Sequence, residues 1–126
     1  MVEKDDILII DDSVNNQNVL KSILEKYGLK IVVFDSADIA WQRIQESESL
    51  PRGVICDIYM PGMLGFEFLE KIKELDSSIP VIMVTGESES RTVKQALDKG
   101  ADGFIVKPIS SKSVLDQVRK YILDSE

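Results

Sequence analysis

Five short apolar runs, Ile7–Ile10, Ile31–Phe34, Val54–Cys56, Val81–Val84 and Phe104–Val106, alternate along the chain with five stretches of helical spacing. The runs are rich in β-branched residues and bounded by turn formers, which predicts buried strands. Between them, Val19, Leu20, Ile23, Leu24 and Tyr27 share one helical face and stop at Gly28. Ala37, Ala40, Trp41 and Ile44 form a second stripe, with Ser36 as its expected N-cap. Phe68, Leu69, Ile72 and Leu75 form a third, and Val93, Ala96 and Leu97 a fourth ending at Gly100. Val114, Leu115, Val118, Tyr121 and Ile122 form the last. Strict alternation of this kind admits one economical solution. Right-handed βαβ units build a doubly wound α/β fold, a five-stranded parallel sheet with helices on both faces. At 126 residues the chain is expected to be one domain, residues 1–126.

Ligands of such sheets bind beyond the carboxyl ends of the strands, so the residues there carry the functional expectation. The first strand ends in Asp11-Asp12, the third in Asp57, the fourth in Thr85-Gly86 and the fifth in Lys107-Pro108. The second ends in Asp35-Ser36, an ordinary start for a helix. Three carboxylates brought together repel one another unless a cation joins them. Mg²⁺, or Mn²⁺ in its place, suits hard carboxylate oxygens and keeps waters that a phosphate can replace. An aspartate can also accept a phosphoryl group as a nucleophile. Phosphoryl transfer asks mainly for positioning and charge neutralisation, which a divalent ion, the Lys107 ammonium and the Thr85 hydroxyl would supply. Each residue has an ordinary alternative: Asp12 as a helix cap, Asp57 as a loop residue, Thr85 as a β-branched strand end, Lys107 as a solvated edge. One phosphoryl site accounts for their joint arrival.

Composition removes competing chemistries. There is no histidine and one cysteine, Cys56, which excludes a zinc site of the usual kind, a Ser-His-Asp or Cys-His pair, and any disulfide within the chain. A single cysteine fits a reducing, cytoplasmic setting. The net charge of −7 argues against direct nucleic-acid binding and against an anionic membrane surface. The charged start Met1–Asp6 has no signal-peptide pattern, and no apolar run approaches the ~20 residues that a membrane-inserted helix needs. A nucleotide-binding first turn would be glycine-rich, and Asp11-Asp12-Ser13-Val14 is not.

The stretches "ILIIDDS", "VICDIYMPGMLGFEFL", "PVIMVTGES" and "GADGFIVKPI" resemble the receiver domain of two-component response regulators, over essentially the whole chain. The resemblance implies strand order 2-1-3-4-5, as in flavodoxin-like sheets. It implies Asp57 as the phosphoacceptor, Asp12 as a direct Mg²⁺ ligand, and Asp11 as a second ligand or one acting through water. It assigns the Tyr59 carbonyl as the remaining protein ligand, and Lys107 and Thr85 as partners of the phosphoryl oxygens. It also implies Phe104 as a switch aromatic with room left by Gly86, and a cis Lys107–Pro108 peptide. The implied partners are a sensor histidine kinase or a histidine phosphotransfer protein, docking near the polar first turn Val14–Asn18. Downstream stands an unknown protein or a missing output domain, read through the fourth helix, fifth strand and fifth helix. Such a module catalyses only its own phosphorylation and dephosphorylation and is not a turnover enzyme. Two other readings stay open at this level. One is a receiver-like interaction module that works without phosphorylation. The other is a Mg²⁺-dependent aspartyl-phosphate phosphohydrolase, which would want a second acid where Asp57-Ile58-Tyr59 has none.

Three departures from the family pattern carry expectations. Leu64 stands where many receivers have an aspartate, so the third helix should start loosely or late, since leucine cannot cap. Phe104 has no hydroxyl, so its two states would differ by burial alone. Tyr59 and Glu87 should flank the path of attacking water, with Tyr59 shielding the phosphoryl group or simply covering surface.

Overall fold

Residues 2–86 and 90–123 are described in a computed structural model. Five strands, β1 (Asp6–Ile10), β2 (Lys30–Phe34), β3 (Gly53–Asp57), β4 (Val81–Thr85) and β5 (Gly103–Val106), form one parallel sheet in the order β2-β1-β3-β4-β5. Four helices connect them, α1 (Val14–Glu25), α2 (Ala37–Glu46), α3 (Gly65–Leu75) and α4 (Ser90–Asp98), and a fifth, α5 (Ser111–Val118), follows β5. The last continues as a π-helical turn, Arg119–Leu123. The doubly wound fold and its strand order are therefore as the sequence and its resemblance led us to expect. Glu87 and residues 124–126 lie outside the described residues.

The period-2 alternation of the central strands divides the core in two. Leu8, Ile10, Val54, Cys56, Val81 and Met83 meet Ala37, Ala40, Ile44, Phe68, Leu69 and Ile72 from α2 and α3 on one face. Ile7, Ile9, Ile55, Ile82, Val84 and Ile105 meet Leu20, Leu24, Val114 and Val118 from α1 and α5 on the other. β1, β3 and β4 are buried along their whole length. Each such aliphatic side chain contributes about 1.5–3 kcal/mol of transfer free energy. Trp41 meets the largest buried ring, Phe68, edge-on, with centroids 6.3 Å apart.

Two sequence expectations need correction. β2 and β5 are edge strands, with Lys30 exposed and the rest of β2 half-buried and with Phe104 and Val106 of β5 half-buried, because among the described residues no strand pairs on their outer sides. Tyr27, Leu75 and Leu97, placed on apolar stripes, are exposed. A helix lying on a sheet buries a narrower arc than its apolar stripe, and these residues stand at the ends of α1, α3 and α4, past the covered turns.

The end of the sheet opposite the strand carboxyl termini is clamped by Lys73. Its ammonium donates to Ser77 O (3.2 Å), Ile79 O (2.7 Å) and Asp102 Oδ2 (2.7 Å). The same Asp102 oxygen accepts from Val81 N–H at 2.8 Å, tying α3 to the starts of β4 and β5.

Candidate functional site

The register of the parallel sheet decides what meets at its carboxyl edge. Ile10 pairs with Cys56, and Asp57 with Val84, so the residues that follow β1 and end β3 and β4 fall side by side. Carboxylate oxygens of Asp11, Asp12 and Asp57 all lie within 4.8 Å of one another. Asp11 and Asp57 are buried and Asp12 is exposed. Lys107, directly after β5, points its ammonium at Asp57, with Nζ 3.3 Å from Oδ2. Lys107 N–H donates to Thr85 O at 2.7 Å, which joins the ends of β4 and β5 beside the acid. Thr85 is buried, and the Lys107–Pro108 peptide is cis.

The electrostatics follow from burial. Burial pushes the Asp57 carboxyl above its ordinary value, against the pull of Lys107 and of backbone hydrogen bonds at Tyr59 and Ile58. Asp11 is raised by the same cause, and the Asp57 charge adds to it. A backbone hydrogen bond from Ser13 opposes that rise. Ionised carboxylates here repel one another and have Lys107 as one partial counter-charge, so the donor set fits a hard divalent cation. Asp11 and Asp12 from the β1–α1 loop and Asp57 from β3 are the side chains that could hold it. Asp12 is not the cap of α1: Ser13 is, accepting from Asn16 N–H at 3.3 Å.

The loop between Asp57 and α3 is shaped by a residue that sequence reasoning passed over. A Cβ on Gly65 would sit 2.2 Å from Asp57 O and 2.8 Å from Ile58 Cα, so only glycine lets α3 begin directly against the end of β3. Gly65 N–H donates to Ile58 O at 2.9 Å. The N-cap Leu64 makes no side-chain cap bond, as expected, yet α3 starts at once. Met63 N–H instead donates to Asp38 Oδ2 of α2 at 2.9 Å, an anchor from a neighbouring helix. Met60 is buried in the core and Met63 packs partly against it, so this pair is loop packing. Tyr59 stands outside, 57% exposed beside the acid. Phe104 is half-buried in β5, its N–H held by Gln117 Oε1 at 3.0 Å. A Cβ on Gly86 would meet nothing nearer than Lys107 Cδ at 3.9 Å, so the space there is open.

The polar opening of α1 is not simply solvent-facing. Gln17 is buried and its amide turns back to the Asp11 main chain, while Asn16 reaches the Asp11 carboxylate. A run of polar residues gave no signal for this.

Residues 7–119 match the family model of the response regulator receiver domain. The C4-dicarboxylate transport transcriptional regulatory protein DctD of Pseudomonas aeruginosa is 36% identical over 117 residues. That match takes in 90% of this chain but 24% of DctD, so the chain spans about a quarter of that relative's length. The chemotaxis protein CheY of Halobacterium salinarum is 35% identical over 116 residues, 89% of this chain and 92% of CheY. Among solved structures, a CheY-like receiver domain protein from Methanospirillum hungatei superposes with a TM-score of 0.84 at 28% identity, covering 98% of this chain and 96% of that one.

Proposed function

The chain belongs to the response regulator receiver domain family, and we propose that it forms a single receiver domain whose Asp57 accepts a phosphoryl group from a phosphohistidine donor. The observation that carries this reading is one arrangement. A buried carboxylate lies 3.3 Å from a lysine ammonium and within 4.8 Å of oxygens of two further aspartates, at the open edge of a parallel sheet. An Asp57 oxygen attacks phosphorus as the P–N bond of the donor breaks, and the imidazole leaves with the electron pair and takes a proton from solvent. Asp11, Asp12, Asp57 and the Tyr59 carbonyl would hold a divalent cation, Mg²⁺ or Mn²⁺, which when bound would neutralise phosphoryl charge. Lys107 offsets charge on one phosphoryl oxygen, and the Thr85 hydroxyl donates to another.

The module acts on itself and turns over no separate substrate. Its donor is a sensor histidine kinase or a histidine phosphotransfer protein. Thr85 and Phe104 form the switch, read by a downstream protein or an output domain such as the longer relatives have room for. Among the described residues no helix is long and apolar enough to cross a membrane, and we infer a cytoplasmic setting from the cysteine usage and the family.

Intact mass after incubation with acetyl phosphate tests the reading. A phosphoryl adduct should form with Mg²⁺, fail with chelator, and be absent in Asp57→Asn. An adduct that persists in Asp57→Asn would overturn the assignment of the acceptor.

A further inference from the structure

Every polar atom of Asp11 is engaged by the protein. Its N–H donates to Phe34 O at 3.1 Å, at the end of β2. Its carbonyl accepts from Gln17 Nε2 at 2.6 Å. Its Oδ1 accepts from Ser13 N–H at 2.8 Å and its Oδ2 from Asn16 Nδ2 at 3.3 Å. The Gln17 nitrogen has two hydrogens, and the second partner is Asp35 Oδ1 at 2.8 Å, beyond the end of β2. Gln17 is 8% exposed, and its bond to the Asp11 carbonyl is made out of water. Side chains in a helix lean toward its N-terminus, which aims Gln17, in the first turn of α1, at the loop that carries both aspartates.

We propose that Gln17 is a positioning residue for the acidic cluster: by bridging the Asp11 main chain to Asp35 it fixes the β1–α1 loop so that Asp11 and Asp12 meet a divalent cation at a set distance from Asp57. The choice of an amide matters. A lysine or arginine could make the same bridge, but its charge would cancel part of the field that draws a cation to the three carboxylates. Gln17 holds the loop and leaves that field intact. Groups that orient metal ligands from behind commonly set affinity by about 10–100-fold. The inference rests on the metal-dependent reading above and deepens it.

Calorimetric titration of Mg²⁺ tests it, with the urea midpoint in chelator recorded for every variant. Gln17→Met should weaken Mg²⁺ binding about tenfold. Lys73→Met, which breaks the clamp at the far end of the sheet, should lower the urea midpoint while its Kd stays within about twofold of the native value. A merely structural Gln17 would behave like Lys73. The partner residue gives a second, exposed pair of variants. Asp35→Asn keeps an acceptor for the amide and Asp35→Ala removes it, so the alanine variant should bind Mg²⁺ more weakly. Native Mg²⁺ affinity in Gln17→Met overturns the proposal, as do equal affinities in the two Asp35 variants. If Gln17→Met does not fold, the Asp35 pair decides. A native chain that binds no Mg²⁺ overturns the metal-dependent reading itself, and this inference with it.

Discussion

At the scale of single residues, the acidic cluster is bought with stability. Asp11 and Asp57 both have carboxyl groups raised above the ordinary value of 3.8, in each case chiefly by burial. Between that value and the folded-state value the native chain binds more protons than the unfolded one, so stability falls as pH rises through the window. In chelator, Asp57→Asn should therefore be more resistant to urea than the native protein at neutral pH, and the gap should close toward pH 3.8. An unchanged urea midpoint at neutral pH would contradict this. Gly65 is the other residue on which the site depends. Gly65→Ala should cost about 1–3 kcal/mol, the range for overpacking, because a Cβ there meets Asp57 O at 2.2 Å. Denaturant unfolding measures it. The charged and hydroxyl-bearing residues of the candidate site were legible because each ends a strand or follows one within two residues. Gln17 and Gly65 were not, because one reads as a polar helix turn and the other as a loop glycine, and only tertiary contact gives either a role.

At the scale of elements, the strands were the most legible part, since β1, β3 and β4 are buried on both faces and so read as unbroken apolar runs. The edge position of β2 was not, because the same apolar residues serve a half-buried strand. Of the helix starts, the Ser36 cap of α2 was legible; Ser13 and Ser110 cap α1 and α5 through their side chains in the same way, but before α1 the cap candidate in the sequence was Asp12. The exception is α3, whose N-cap Leu64 bonds nothing and is 42% exposed. Its start depends on Gly65 from below and Asp38 from α2. Leu64→Ser should supply the missing acceptor and raise stability by about 0.5–2 kcal/mol, the usual value of an N-cap. Thermal melts of the two proteins in chelator would check the sign. No gain would mean that the Asp38 anchor already fixes the helix start.

At the scale of the whole molecule, the site sits at one end of the sheet and the Lys73 clamp at the other. A divalent cation that joins Asp11, Asp12 and Asp57 would bind the folded chain alone, since only folding gathers them. Mg²⁺ at a hundred times its Kd should stabilise the protein by about 2.7 kcal/mol, and chelator should reverse the gain. Thermal unfolding at a series of Mg²⁺ concentrations measures it, and a midpoint that does not move would count against a metal site. Directly before Asp57, on the central strand β3, lies Cys56. It is fully buried, and burial, followed by the charges of Asp57 and Asp11, pushes its thiol well above the ordinary value. Thiolate is the reactive form, so the folded protein offers an alkylating reagent nothing to attack until β3 opens. The chain thus carries its own clock for opening, and a dye attached through a cysteine introduced on its surface would meet no competing native thiol.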